Sequence, residues 1–96
     1  MYGTVARMKV SRENLEALQS ELGGEQYPAI PGFESSHMLV PDAWNGEVMV
    51  AVFFDSKEAY TANASDPGMH ERYLRYRALL EADPEWTDGE WVSYTP

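Results

Sequence analysis

The sequence predicts an α+β sandwich in which helices cover one face of a four-stranded antiparallel sheet. Two observations lead to this class: the elements read β-α-β-β-α-β along the chain, and the third strand is apolar on both of its faces. Residues 47–54, EVMVAVFF, put apolar side chains on opposite sides, because successive residues of a strand point in opposite directions. A strand of this composition belongs at the centre of a sheet, with both faces covered.

The N-terminal residues predict a first strand and a first helix. Residues 2–10, YGTVARMKV, are rich in β-forming side chains. Ser11 offers a hydroxyl as N-cap, and Glu13 places a negative charge in the first turn, where the helix dipole favours it. Leucines at helical spacing predict a helix of about 11–12 residues. They are Leu15, Leu18 and Leu22. Gly23-Gly24 ends the helix, because glycine adopts a left-handed cap at least cost.

The second and third strands are predicted to form a hairpin. A Pro- and Gly-rich connector, residues 25–33, leads to a second strand of mixed polarity at residues 33–40. The connection that follows carries Asn45-Gly46, a dipeptide typical of tight turns. We therefore expect the second strand to pair antiparallel with the third.

Two further helices are predicted in the second half of the chain. Asp55 or Ser56 caps a helix with the sequence SKEAYTANA, which SDPG interrupts. Asp66 as cap and Pro67 at the first helical position start the next helix, predicted to run to about Ala82. One apolar stripe follows this helix, and it consists of Met69, Tyr73, Tyr76 and Leu80.

The remaining residues complete the topology. Residues 82–89, ADPEWTDG, are predicted to be a loop, and residues 90–95, EWVSYT, a closing strand. Right-handed crossovers and the hairpin fit this order to a ferredoxin-like βαββαβ sandwich. In such a sheet the first and third strands are central, and the second and fourth are edges.

The second apolar face of the third strand predicts a homodimer through the sheet face. The helices cover only one face, and a row of exposed Val and Phe side chains would leave an aggregating patch. A second copy is the simplest cover, because isologous dimers dominate among oligomers. Trp91, on the predicted last strand, is the expected dimer contact, since Trp is enriched at interfaces. The alternative is a sheet face left in solvent.

Composition limits the classes of partner. The 96 residues predict a single domain, 1–96, and the net charge of −9 argues against nucleic acid and against a polybasic membrane contact. The chain has no cysteine, so no disulfide, thiolate nucleophile or sulfur-ligated metal is expected. No apolar run approaches the roughly 20 residues of a membrane span, and the first ten residues lack the pattern of a signal peptide. The expected location is the cytoplasm.

The chain resembles the dimeric α+β barrel superfamily, most closely its antibiotic biosynthesis monooxygenase-like (ABM-like) proteins. The resemblance runs from residues 2–10 through the PGF that opens the second strand, the junction VFFDSKEAYTANAS at 52–65, and EWVSY at 90–94. It implies two protomers packed sheet against sheet, with a pocket between sheet and helices in each. Some relatives oxygenate polycyclic phenols without metal or flavin. Others degrade haem or carry out unrelated reactions, so the fold does not choose a reaction.

Three residues are candidates for catalysis: Asn63, His70 and Tyr73. Asn63 lies on the sheet-facing side of the second helix, where the resemblance implies a pocket residue and an amide would hold a phenolate or dioxygen-derived oxygen. Its alternative role is to bind backbone near the helix break. His70 and Tyr73 are neighbours on the third helix, where an imidazole can accept a phenolic proton. The alternative interpretation is that His70 is a solvated surface residue and Tyr73 a residue of the hydrophobic core.

Two residues are candidates for substrate binding. Tyr60 shares a helix face with Asn63. His37 lies on the edge strand, on the predicted face of Phe33, Ser35 and Leu39, where it either lines the pocket or is a tolerated polar residue.

No metal and no cofactor are predicted. The two histidines lack the close spacing of metal ligands. Asn63 stands where haem-degrading relatives have an aromatic residue, which argues against haem. Three arginines of the third helix are predicted to form a solvated face, with the ion pairs Glu71–Arg75 and Arg77–Glu81. Two functions stay open: a cofactor-independent monooxygenase-like enzyme acting on a small phenolic substrate, and a non-catalytic dimeric barrel that binds a small ligand or has a structural role.

Overall fold

A computed structural model describes residues 1–23 and 30–95 of the chain. Gly24 and most of the predicted connector 25–33 lie outside the described residues. The elements are β1 (Tyr2–Lys9), a 3₁₀ turn (Arg12–Asn14), α1 (Leu15–Leu22), β2 (Phe33–Leu39), β3 (Glu47–Phe54), α2 (Lys57–Ala64), α3 (Pro67–Arg77) and β4 (Glu85–Glu90). None of the helices in the described ranges is long and apolar enough to cross a membrane.

The sheet has the predicted topology. Its strand order is β2-β3-β1-β4, with every neighbouring pair antiparallel. The first and third strands are therefore central, and the hairpin of the second and third is confirmed. β1 and β3 pair without interruption from Tyr2 opposite Phe54 to Lys9 opposite Glu47.

One face of this sheet carries the hydrophobic core. We call it the helix face, and on β3 it presents Val48, Val50, Val52 and Phe54. Ala6 and Met8 of β1, and Val10 just after it, are buried on the same side of the sheet. Leu18 of α1 and Tyr76 of α3 close the cluster from the other side. The predicted stripe of α3 thus points inward, as its spacing requires.

α2 and α3 begin at the predicted caps, whereas α1 begins at Leu15, later than predicted. The Ser11 hydroxyl caps the 3₁₀ turn before α1, accepting a hydrogen bond from the Asn14 backbone at 3.3 Å. Ser56, rather than Asp55, accepts from Ala59 at 3.1 Å at the start of α2. The Asp66 carboxylate accepts from the Gly68 backbone at 2.7 Å, with proline at the first helical position.

α3 ends earlier than predicted. Its last residue is Arg77, whereas the sequence suggested a helix to about Ala82. Leu80 instead forms a bridge with Val10 at the end of β1, and Glu81 donates its backbone N–H to the Lys9 carbonyl at 2.9 Å. Pairing with the sheet therefore replaces the last helical turn.

The position of the closing strand was predicted wrongly. β4 is Glu85–Glu90, inside the predicted loop, and residues 91–95 are not a strand. All six residues of β4 are exposed, and the Asp88-Gly89 dipeptide suggests a turn by local rules. The strand exists because it pairs with β1 along its whole length, including Gly3 opposite Gly89. An edge strand tolerates polar residues, because only one side is hydrogen-bonded.

The second face of the sheet, which we call the open face, presents Met49, Ala51 and Phe53 on β3. The chain itself covers part of it: the Trp91 ring stacks on Phe53 at 4.4 Å between centroids, and its indole N–H donates to the Val52 carbonyl at 3.1 Å. Leu39 is 68% exposed and Met49 36% exposed on the same face. A second copy is therefore not needed to cover Phe53, and the predicted homodimer remains a prediction.

Candidate functional site

A cavity of about 860 Å³ lies between the helix face of the sheet and the helices α2 and α3. Its wall is mostly apolar, with a few polar groups from several elements, as is typical of small-molecule sites. Its polar lining among the described residues is Thr4, Ser35, Ser36, Tyr60, Asn63, His70, Arg72, Tyr73, Tyr76, Trp86 and Asp88. Four of the five predicted site residues therefore line one cavity.

Asn63 reaches this cavity from the last turn of α2. Its backbone carbonyl accepts a hydrogen bond from Asp66 at 3.1 Å, which forms the break between α2 and α3. The side-chain amide has no hydrogen bond to another described residue. The alternative, in which the amide caps the helix break, is therefore not what the structure shows.

His70 and Tyr73 lie on α3 as neighbours. Their rings are 6.4 Å apart at 23°, close to parallel, and both line the cavity. His70 is exposed, which places it at the rim, whereas Tyr73 is half-buried and contacts the Tyr76 ring edge-on at 5.3 Å. The structure thus brings an imidazole and a phenol to the same stretch of the wall.

Tyr60 is held in one position by contacts on three sides. Its ring lies 5.4 Å from the Tyr2 ring and 5.5 Å from the Phe54 ring. Its hydroxyl donates a hydrogen bond to the Asp88 carboxylate on β4 at 2.8 Å. Helix α2 and strand β4 are thereby joined across the cavity.

Two tyrosines of the cavity resist ionisation. Burial, and next the hydrogen bond to Asp88, raise the pKa of Tyr60 to about 12. Burial, and next the charge that would form on Tyr73, raise the pKa of Tyr76 well above its ordinary value. Both hydroxyls are therefore protonated at neutral pH and act as hydrogen-bond groups rather than bases.

His37 lies on the opposite side of the sheet from the cavity. A bulge between Phe33 and Ser35 shifts the register of β2, so Phe33 lies opposite Phe54 while His37 lies opposite Ala51. The predicted common face of Phe33 and His37 is therefore wrong. His37 contacts the Phe53 ring edge-on at 5.9 Å on the open face.

Among the polar lining residues that the sequence analysis did not name as site candidates, Thr4, Trp86 and Asp88 lie on β1 and β4. Trp86 and Asp88 share the helix face of β4, opposite Ala6 and Thr4. Trp86 and Asp88 occupy alternate positions, and this alternation is a sequence signal for a strand with both side chains on one face. It was overlooked because the segment was interpreted as a loop. Thr4 is buried and donates its hydroxyl to the Thr87 carbonyl at 3.1 Å.

The arginines of α3 differ from the predicted solvated face. Arg72 is half-buried and donates to the Leu22 carbonyl at 2.7 Å, which ties α3 to the end of α1. Arg75 pairs with Glu21 at 3.5 Å, and Arg77 pairs with Asp83 at 2.7 Å. These arginines therefore connect elements as well as carrying charge.

Within residues 1–23 and 30–95, no three His, Asp or Glu side chains are grouped so that they could hold a metal ion. The groups that this part of the site offers a ligand are hydrogen-bonding side chains and aromatic rings.

The fold is shared with several solved structures. A monooxygenase from the gene ActVA-Orf6 of Streptomyces coelicolor, solved with the ligand nanaomycin D, superimposes with a TM-score of 0.82 at 20% identity, over 99% of this chain and 91% of that one. SnoaB, a cofactor-independent oxygenase from Streptomyces nogalater, gives 0.72 at 15% identity, over 99% and 96%. Rv0793 from Mycobacterium tuberculosis gives 0.75 at 18% identity, over 99% and 98%.

No protein-family model matches the chain, and no curated protein matches it. The structural likeness nevertheless covers nearly the whole chain. The chain has the fold of the antibiotic biosynthesis monooxygenase proteins, a ferredoxin-like βαββαβ sandwich, and the resemblance found in the sequence is confirmed at the level of the fold.

Proposed function

We propose that this chain is a cofactor-independent monooxygenase-like protein that acts on a small aromatic, phenolic substrate. The observation that carries the proposal is the cavity of about 860 Å³, into which Asn63, His70 and Tyr73 converge from α2 and α3. Its volume lies in the range of roughly 300–1,000 Å³ that small-molecule sites occupy. Two neighbours with the same fold, from Streptomyces coelicolor and Streptomyces nogalater, are a monooxygenase and a cofactor-independent oxygenase.

The site residues have separate roles in this proposal. His70, at the rim, accepts the proton of the phenolic hydroxyl, because imidazole is suited to proton transfer near neutral pH. The Asn63 amide donates to the phenolate or to the oxygen derived from dioxygen. Tyr73 holds the ring of the substrate, and Tyr60 forms the opposite wall with its hydroxyl kept protonated.

The substrate supplies the electrons of the reaction. An anthrone-type substrate reacts as its phenolic tautomer: loss of the hydroxyl proton to His70 makes the ring electron-rich, and the ring carbon opposite that oxygen reacts with dioxygen. The O–H bond and the C–H bond at that carbon break, and both positions become C=O. One oxygen atom of dioxygen becomes the new carbonyl oxygen, and the other leaves as water with both hydrogens. The protein's contribution is to deprotonate, orient and shield the ring.

This function is tested by measuring oxygen uptake with a panel of anthrones and hydroquinones in the presence of a chelator. We expect uptake with at least one compound. We expect kcat to fall about 10- to 100-fold in His70→Ala and about tenfold in Asn63→Ala. Asn45→Ala, in the β2–β3 connection, is the matched amide control. His37→Ala changes the other histidine, on the open face, and is expected to affect uptake less than His70→Ala.

The alternative function gives a different result. A dimeric barrel that only binds a ligand would bind the same compounds, with heat released on titration, and consume no oxygen. Uptake that neither Asn63→Ala nor His70→Ala changes would remove the proposed site while keeping the reaction.

We also propose that two copies pair through the open face. Exposed Leu39 and Met49 lie opposite each other there, and Ala51 separates Met49 from Phe53 along β3.

A further inference from the structure

The cavity carries its negative charge at one place. Asp88 is the one carboxylate among the described residues that line it. It projects from the helix face of β4, two residues after Trp86, so a carboxylate and an aromatic ring lie side by side on one strand. A planar ligand that lies against Trp86 therefore has its edge beside Asp88.

Tyr60 fixes the orientation of this carboxylate. Its hydroxyl donates to one oxygen, Oδ1, at 2.8 Å, and its own ring is held by Tyr2 and Phe54. A carboxylate has two oxygens and about four acceptor sites, so this bond leaves Asp88 able to accept from a ligand. The hydroxyl is protonated at neutral pH, so it is a donor to Asp88 and not a second charge.

We propose that Asp88, oriented by Tyr60, is the specificity-determining residue of the cavity: it accepts a hydrogen bond from a hydroxyl on the edge of an aromatic substrate and excludes substrates with a carboxylate there. The inference rests on the proposed function, since it names the substrate class of the same site. A hydrogen bond to a charged acceptor is worth more than one to a neutral acceptor, so a ligand without the donor lacks that contribution. A ligand carboxylate meets a like charge, in a chain whose net charge is already −9.

Three probes of one shape test this: 2,6-dihydroxynaphthalene, its dimethyl ether and naphthalene-2,6-dicarboxylate. Their dissociation constants are measured by protein NMR titration at neutral pH in a fixed small fraction of dimethyl sulfoxide. We expect the dihydroxy compound to bind about tenfold more tightly than the ether, and the dicarboxylate to bind most weakly. Binding, not turnover, is the readout, so the result does not depend on catalysis.

Two variants and a matched control test whether Asp88 causes these differences in binding affinity. Asp88→Asn keeps an acceptor and removes the charge, so it is expected to reduce the preference over the ether and to strengthen dicarboxylate binding about tenfold. Tyr60→Phe releases the carboxylate and is expected to reduce the preference by a smaller factor. Glu90→Gln removes a charge two residues further along the same face of β4, outside the cavity lining, and is expected to leave the three ratios unchanged.

The outcomes separate the two proposals. Equal binding of the three probes, or the same ratios in Asp88→Asn as in the unaltered chain, overturns the role of Asp88 and leaves the aromatic site standing. Equal effects of Asp88→Asn and Glu90→Gln also overturn it, because they show a general effect of net charge. Absence of binding by all three probes overturns both the inference and the proposed function.

Discussion

The two faces of the sheet carry similar apolar side chains on the central strand β3, but they are buried to different extents and by different parts of the chain. On the helix face of β3, Phe54 is 1% exposed and touches the rings of Phe33 and Tyr60 edge-on. On the open face, Phe53 is half-buried and has Trp91 stacked on it, while Met49, four residues before it on the same face, is exposed. The helices bury one face and leave a cavity within it, whereas a single indole covers part of the other.

This difference shows that apolar composition does not by itself say what covers a surface. Both faces of residues 47–54 are apolar, yet one is a hydrophobic core and the other is a partly covered surface. The helix face holds the cavity because its helices do not fill the space over Thr4 and Trp86. The proposed second copy would lie on the open face.

The largest expected effect concerns the two adjacent phenylalanines. Phe54→Ala removes a fully buried ring and is expected to lower the free energy of unfolding by about 3–5 kcal/mol. Phe53→Ala loses the stack with Trp91 in a half-buried place and is expected to cost about 1–2 kcal/mol. Urea denaturation at low protein concentration measures both. Equal losses would show that the open face is as buried as the helix face.

The second prediction tests the proposed pairing of two copies. Leu39→Glu combined with Met49→Glu places charges on the open face of each copy, and we expect the dimer dissociation constant to rise about 100-fold. Sedimentation velocity over a concentration series measures it. Leu74→Glu, on α3 outside the cavity and the open face, is the matched control because Leu74 is 53% exposed. A monomer at all concentrations in the unaltered chain would contradict the pairing.

The third prediction compares two glycines that lie opposite each other. A Cβ on Gly3 would overlap the Val52 carbonyl oxygen and lie 2.8 Å from the Trp91 indole nitrogen, whereas a Cβ on Gly89 meets nothing within 4 Å. Gly3→Ala is expected to destabilise the protein by about 1–3 kcal/mol, because the strands or Trp91 must move. Gly89→Ala is expected to change stability by less than about 0.5 kcal/mol. Thermal unfolding of the pair decides whether Trp91 packs as described.

The smallest expected effect is a pH dependence of the protein's stability that comes from Tyr60 on the helix face. The pKa of Tyr60 is raised to about 12 from an ordinary value of 10.0, so the folded state holds this proton more tightly than the unfolded state. Its contribution to stability is present in full below pH 10 and is lost as the pH rises to about 12. Unfolding midpoints between pH 9 and 12 should therefore fall less steeply in Tyr60→Phe than in the unaltered chain. Identical slopes would show that burial and the hydrogen bond to Asp88 do not together raise the pKa of Tyr60.

The site was predictable in part, and the residues show why. Tyr60, Asn63, His70 and Tyr73 were found because helical spacing fixes which side chains share a face, and the caps at Ser56 and Asp66 fix where each helix begins. Asp88 and Trp86 were not found as site residues, because the Asp88-Gly89 dipeptide favoured a loop over the strand that the alternation of residues 85–90 also allowed. His37 was grouped with Ser35, Leu39 and Phe33, and only the grouping with Phe33 is wrong, because a bulge of one residue reverses every side chain beyond it.

The sequence by itself determined the α+β class, the order of the elements, the central position of β1 and β3, and the inward faces of α2 and α3. These properties follow from periodicity and capping, which act over a few residues. The tertiary structure decided that residues 85–90 form β4, that Trp91 covers Phe53, and that the Tyr60 hydroxyl meets the Asp88 carboxylate. Those contacts join residues from 28 positions apart, in Tyr60 and Asp88, to 88 positions apart, in Tyr2 and Glu90. They form only because the sheet and helices bring these residues together, so no local pattern encodes them.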